Sequence, residues 1–518
     1  MNLLAAPPSS GYLAVLSRAV DRSPMSSKPQ TDAAHHLKQF QVRSSSSKVL
    51  SQRDPSKKAA VRKGLLRQRT RTLTWRESDT PRSASAYSTL TAAPLPSPPK
   101  NELQNKVARE TISQNPELFK VVSPIKPDVF KEYVKDHPNQ PFVQSVARAL
   151  KKGFWPWADT SDPSFPTTHD GSRQGSRITS EDKAKFIRQQ SEEEMELERW
   201  SKPFGDKSLP GMHSAPVHVV PKSTPGKFRL IVDQSRGPHA LNSTIPKSQV
   251  KVQLDNIHDL GNELLAARKK YPNRKLVLFK SDVKSAYRQL PMHPLWQIKQ
   301  AIPIDGQYHI DRCNSFGNRS SGWNWDSVQS TVNRIATEKK GVSGLLGYVD
   351  DNFGWEFKRN KQFYKPYNKH LPTKQAALLE LWDELGIPHD EEKQLSGPAL
   401  PILGYHVDAE KMTVKVPDEK KAKVVDLLRS NAHAGKSYTV NQLESVAGSV
   451  GSALSLYPRL RPGLRVLFDE MSRQEPGTTK LEVTKPVARC LSSLADFLEH
   501  APPVPIRYQK EKVRRIGT

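Results

Sequence analysis

Two stretches far apart in the chain decide how it folds: VLFKSDVKSAY (277–287) and LLGYVDDNFGWEF (345–357). The first is an apolar run ending in Asp282, after which the chain turns toward helical text. The second has two apolar arms, Leu345–Val349 and Phe353–Phe357, around Asp350-Asp351-Asn352, which predicts a hairpin with an acidic turn. Aspartate favours turns, so an acidic pair at a hairpin tip is by itself turn chemistry. A carboxylate closing a buried strand is different, because an ionised acid there is costly without a cation partner. If the two strands are neighbours, Asp282, Asp350 and Asp351 meet at one edge of the sheet. Three hard oxygen donors with no His or Cys beside them suit Mg²⁺. Two such ions, about 3.5–4 Å apart, would activate a 3′-hydroxyl and stabilise a departing pyrophosphate. That is phosphoryl transfer by positioning and charge.

The text around these stretches is rich in hairpins. Val217–Val220 and Phe228–Val232 flank the turn PKSTPG (221–226), and Ile298–Ile304 and Gln307–Cys313 flank Asp305-Gly306, a strong two-residue hairpin signal. Ile402–Val407 and Thr413–Val416 form another candidate pair. Helical periodicity covers Leu254–Arg268, Ser327–Glu338 and Lys374–Leu385, and Thr439 with Gln442 reads as a capping box ahead of Leu443, Val446 and Val450. Helices mixed with hairpins in this way predict an α+β fold with an antiparallel sheet.

Composition sets the outer limits. The chain has 518 residues, 80 Lys+Arg against 53 Asp+Glu, and a formal charge of +27, so nucleic acid is the natural polyanionic partner. With 36% hydrophobic residues and 42 prolines, long segments are expected to lie outside any packed core. Two cysteines, Cys313 and Cys490, exclude a disulfide framework and a cysteine-based zinc site. No apolar run approaches the roughly 18 residues of a membrane span, and the opening residues, interrupted by Pro7-Pro8, make a poor secretory signal. The expectation is an intracellular protein of the nucleus or cytoplasm, with no membrane partner. Residues 1–114 read as a disordered basic Ser/Pro-rich region. Its basic run, Lys57-Lys58, Arg62-Lys63, Arg67, Arg69 and Arg71, fits a solvated tail, a nuclear-import or RNA-binding segment, or a mitochondrial leader.

The order D-x-x-x-x-Y (282–287), FGNRSSG (316–322), YVDD (348–351), LG-x₆-K (385–393) and LGY (403–405) resembles the reverse-transcriptase palm over roughly residues 200–475. The form of these blocks, with VNQLESVAGSVGSALSLYPRLRPGLRVLFDEM (440–471), is most similar to the tyrosine-recombinase-encoding, DIRS-like retrotransposon branch. By their own text, residues 115–198 read as a partly ordered helical extension and linker, and 476–518 as a C-terminal helix and basic tail, too few for a ribonuclease H domain. The resemblance implies a right-hand polymerase fold, with fingers and palm at 199–416 and a helical thumb at 417–475. It also implies that Asp282, Asp350 and Asp351, with the backbone carbonyl of Val283, hold two Mg²⁺ ions (Mn²⁺ being an alternative). Lys393 would protonate the leaving pyrophosphate. Lys222 and Arg229 would bind the incoming triphosphate, a role suited to a bidentate guanidinium. Gly317 would allow close approach to the nascent base pair, and Tyr287 would exclude a ribose 2′-hydroxyl. Gly404 and Tyr405 would form the primer grip. The implied partners are an RNA template, a DNA or RNA primer and dNTPs. Two alternatives stay open: a truncated or host-retained remnant that binds nucleic acid without turnover, and an RNA polymerase, which Tyr287 opposes.

Overall fold

The structure is a computed structural model that describes residues 72–75, 83–172, 180–221, 226–249, 252–472 and 480–508. The remainder of residues 1–114, with its basic run at 57–71, lies outside the described residues. The fold is mixed α and β, and the chain divides into two compact units: 75–403 with 407–412, and 404–406 with 413–508 together with 72–74.

At the centre of the larger unit is a four-stranded antiparallel sheet in the order Leu395–Gly397, Leu276–Asp282, Asp351–Phe357, Leu346–Tyr348. Leu276, Leu278, Phe279 and Phe353 are fully buried in it, which is why these strands read as near-continuous apolar runs. Three helices, Ile257–Lys270, Ser321–Lys339 and Thr373–Leu385, pack beside it. Asn256 and Asp259 close a capping box on the first of these, and Gly386, at φ +77°, ends the third in the left-handed conformation that glycine adopts without strain. The second helix begins six residues earlier than its periodicity suggests, inside the FGNRSSG block. There Asn318 accepts from the Ser320 backbone N–H (2.8 Å) and hydroxyl (2.7 Å), so side chains stabilise a start that Ser and Gly propensities disfavour.

Val217–Pro221 and Phe228–Val232 pair in register, Val217 with Val232, as expected from the sequence. Ala301–Ile304 and Gln307–Ile310 form the Asp305-Gly306 hairpin, with both turn residues at positive φ (+47° and +78°). The first strand is shorter than read because Pro294–Gln297 is helical and Ile298 caps it.

The boundary of the predicted disordered region needs correction. Residues 83–114 form the helices Ala84–Ser88, Lys100–Leu103 and Lys106–Gln114. Buried Asp255 holds this segment, accepting from the Ser83 hydroxyl (2.6 Å) and the Ala84 N–H (2.6 Å). Trp75 is fully buried, donates to the carbonyl of His258 (2.8 Å) and fits because Gly261 has no Cβ, which would lie 2.2 Å from the indole nitrogen. A few apolar anchors inside Ser/Pro-rich text are enough to order it, and bulk composition averages them away.

The smaller unit is helical, with Asp418–Asn431, Val440–Ala453, Pro462–Ser472 and Lys485–Glu499. The Thr439/Gln442 capping box is formed. Lys485–Glu499 packs on Asp418–Asn431, so the C-terminal helix belongs to the same unit as the helices before residue 475. The break between units falls near 403 rather than at 416 because the short strand Thr413–Lys415 pairs with Val504–Pro505 inside the helical unit. Among the described residues no helix is long and apolar enough to cross a membrane.

Candidate active site

Strand register brings the acids together. Asp282 is the last residue of its strand, Asp351 the first of the next, and the two are direct antiparallel partners. Side chains of such partners project from the same face with Cβ atoms about 5 Å apart. The bend before Asp351 is tied to the chain leaving Asp282, because the Val283 N–H donates to the Asp350 carbonyl (3.3 Å). Val349 enters the bend at φ +56°, a left-handed conformation that strains a β-branched residue. The indole N–H of Trp325 donates to the Val349 carbonyl at 2.8 Å and supports it.

Three carboxylates this close repel one another. Burial, then the charges of Asp351 and Asp282, push Asp350 up to about 7. Burial also raises Asp351, against the opposing pull of Lys280. Two lysines answer the charge: Lys280 Nζ lies 2.9 Å from Asp351 Oδ1, and Lys393 Nζ lies 2.8 Å from Asp282 Oδ1. For Lys393, burial favours the neutral amine, but the hydrogen bond and charge of Asp282 outweigh it and raise the pKa.

Lys393 reaches Asp282 because residues 388–394 run alongside 282–284. The Lys284 N–H donates to the Pro388 carbonyl (2.9 Å), Val283 bridges His389, and Gln394 Nε2 donates to the Asp282 carbonyl (3.1 Å). The LG-x₆-K spacing is therefore the length of a turn that returns to the end of the Asp282 strand.

Tyr287 lies in the 3₁₀ turn Ala286–Gln289 and is 5% exposed. Its ring sits 5.4 Å from that of Phe316, and its hydroxyl would be 3.4 Å from a Cβ at Gly322. The adjacent Arg288 fixes this turn through a buried ion triad, with both Asp311 oxygens at 2.8 Å and Glu194 Oε2 at 2.8 Å. Gly317 backs onto the end of the Phe228–Val232 strand, where a Cβ would lie 1.7 Å from the Val232 carbonyl oxygen. Arg229 is on that strand, opposite Val220 and half-buried. Lys222 lies outside the described residues.

Gly404 and Tyr405 belong to the helical unit. Gly404 is at φ +74°, and the Tyr405 hydroxyl donates to the Ser452 carbonyl (2.7 Å). Sequence reasoning missed Lys280, Trp325 and the strain at Val349. Lys280 alone left a signal, since a lysine two residues before Asp282 shares its strand face.

The donor set of Asp282, Asp350, Asp351 and the Val283 carbonyl fits a hard divalent cation in chemistry, being all oxygen and short of positive charge. As it stands, no group of three or more His, Cys, Asp or Glu among the described residues is arranged to hold an ion, and two of the three acids face lysines instead.

No family model matches this chain, and the comparison with curated proteins finds no match. Among solved structures, a foamy viral protease-reverse transcriptase dRH with double-stranded DNA is similar at 17% identity and a TM-score of 0.45, covering 74% of this chain and 61% of that one. The foamy viral protease-reverse transcriptase with an RNA/DNA hybrid is similar at 17% and 0.45, covering 74% and 47%. With double-stranded DNA it is similar at 17% and 0.44, covering 74% and 73%. The chain thus spans less than two thirds of the first two.

Proposed function

We propose that this chain is an RNA-directed DNA polymerase of retrotransposon origin, with sequence blocks that resemble the DIRS-like branch. The observation that carries the proposal is the register pairing Asp282 with Asp351, with Asp350 bonded to the residue after Asp282. Five sequence blocks in polymerase order support it.

Asp282, Asp350, Asp351 and the Val283 carbonyl would hold two Mg²⁺ ions, or Mn²⁺. When bound, these supply activation of a primer 3′-hydroxyl and neutralise charge on the departing pyrophosphate. The protein's own groups do the rest. Lys393, already charged beside Asp282, donates its proton to the pyrophosphate oxygen as the P–O bond breaks. Arg229, with Lys222, binds the triphosphate, Gly317 admits the base pair, and the packed ring of Tyr287 blocks a 2′-hydroxyl. Gly404 and Tyr405 seat the primer end, and the basic surface tracks the duplex backbone. Primer extension on poly(A)/oligo(dT) with dTTP and Mg²⁺ tests the reading. Incorporation is expected, and Asp350→Asn should abolish it. Incorporation that is absent, or equal in the variant, overturns the proposal.

A second reading has one specific observation in its favour. Two of the three acids, Asp351 and Asp282, are already paired with lysines, Lys280 and Lys393. A remnant that binds nucleic acid without turnover would show salt-sensitive RNA binding and no incorporation.

A further inference from the structure

Lys280 has no part in the chemistry above, yet it makes one of the least exposed charge contacts near the site. It stands two residues before Asp282 on the same strand, and side chains at that spacing share a face. Its cross-strand partner is Phe353, which puts Asp351 diagonally across from it, within reach of its four-carbon stem. The Nζ–Oδ1 distance is 2.9 Å, with the side chains 12% and 15% exposed. The Lys393–Asp282 contact has a similar length, but its lysine side chain is 44% exposed and can be solvated when it moves. The Lys280 side chain is much less exposed.

Register sets Asp282 and Asp351 side by side, and Asp351 is engaged with Lys280. A carboxylate cannot keep a close, buried ammonium and accept a divalent ion in the same direction without one cation yielding.

We propose that Lys280 is an internal counterion that occupies Asp351 until metal binds. It would thereby set the metal affinity of the site as a positioning residue rather than a catalytic one. This rests on the polymerase reading for the identity of the metal ligands. The ammonium stands in for a divalent ion, keeping three neighbouring carboxylates compatible with a folded sheet end, and loading requires it to swing off Asp351.

The test is Mn²⁺ binding to the full chain at one fixed pH, followed by electron paramagnetic resonance without nucleotide or template. Wild type, Lys280→Met, Lys280→Arg and Asp351→Asn are compared, with melting temperature in EDTA and in Mn²⁺ as a second readout. Lys280→Met should bind Mn²⁺ about tenfold more tightly, since one competing cation is gone. It should also melt lower in EDTA and gain more from added Mn²⁺ than wild type. Lys280→Arg, which keeps the charge and can grip the carboxylate bidentately, should bind Mn²⁺ no more tightly than wild type and is informative even if the methionine variant does not fold. Mn²⁺ affinity unchanged or weakened in Lys280→Met, or raised in Lys280→Arg, overturns the proposal. Failure of the polymerase reading looks different: Asp351→Asn would then bind Mn²⁺ as wild type does, whatever the Lys280 variants show.

Discussion

Replacing Asp350 by Asn should make the metal-free protein more stable at neutral and alkaline pH while removing its activity. Burial and the neighbouring acids move this carboxyl from 3.8 to about 7 in the folded chain. Between those values the folded protein holds a proton that the unfolded chain has lost. Stability therefore falls as pH rises through this window and levels off above about 7. At 1.36 kcal/mol per unit, a shift of about three units corresponds to about 4 kcal/mol, and partial access to solvent lowers that to about 2–4 kcal/mol. An amide carries no charge to desolvate or repel, so Asp350→Asn should recover most of this above pH 7 and little near pH 4. Urea denaturation of both proteins in EDTA across that range measures it directly. Mg²⁺ should reverse the order, since binding to the folded state stabilises only a chain that keeps its ligand. Equal stability of the two proteins at alkaline pH in EDTA, or parallel pH slopes, would refute the argument that these carboxylates are held together against their own repulsion.

Other substitutions probe the rest of the site. Tyr287→Ala should raise use of rNTPs relative to dNTPs by at least about tenfold, with dNTP incorporation retained; unchanged discrimination in a competition assay would count against the steric role. Lys393→Met should lower single-turnover incorporation by about 10²–10⁴-fold and flatten the alkaline limb of the pH–rate profile. A loss in substrate affinity alone would assign Lys393 to binding. Trp75→Ala should cost about 3–5 kcal/mol, because a fully buried indole, its hydrogen bond to His258 and its seat on Gly261 are lost together. A denaturation midpoint equal to wild type would show that the segment before residue 83 is dispensable.

Much of this arrangement could be read from the sequence. The hairpins at 217–232, 301–310 and 346–357 follow from alternation and turn residues, and the acids lie where the apolar runs stop. The LG-x₆-K spacing has a local cause in the turn that returns Lys393 to Asp282. What stayed hidden depends on tertiary contact. Ser83 and Trp75 are ordered by Asp255, His258 and Gly261, residues more than 170 positions away, which no composition window around 75–114 contains. The start of the Ser321–Lys339 helix rests on side-chain bonds from Asn318 in a stretch whose propensities suggest a loop. Lys280 was visible on the strand face of Asp282, but its partner became evident only with the register of the opposing strand.

The places where local rules are broken coincide. Val349 takes a backbone conformation that costs a β-branched residue about 1–3 kcal/mol. The next residue is a carboxyl whose proton affinity is raised by burial and then by its acidic neighbours. The one after that is a carboxylate paired with a lysine that is itself mostly buried. Nothing in the packing demands this: an Asn-Gly turn would join the same strands without strain or repulsion. Trp325 and Lys280 offset part of the cost, which means the surrounding structure maintains the arrangement rather than tolerating it. Of these three consecutive unfavourable choices, two are propped by a residue from another element, Val349 by Trp325 and Asp351 by Lys280. Under the proposed polymerase reading, negative charge gathered at one end of the sheet would serve a divalent cation, a purpose that accounts for all three.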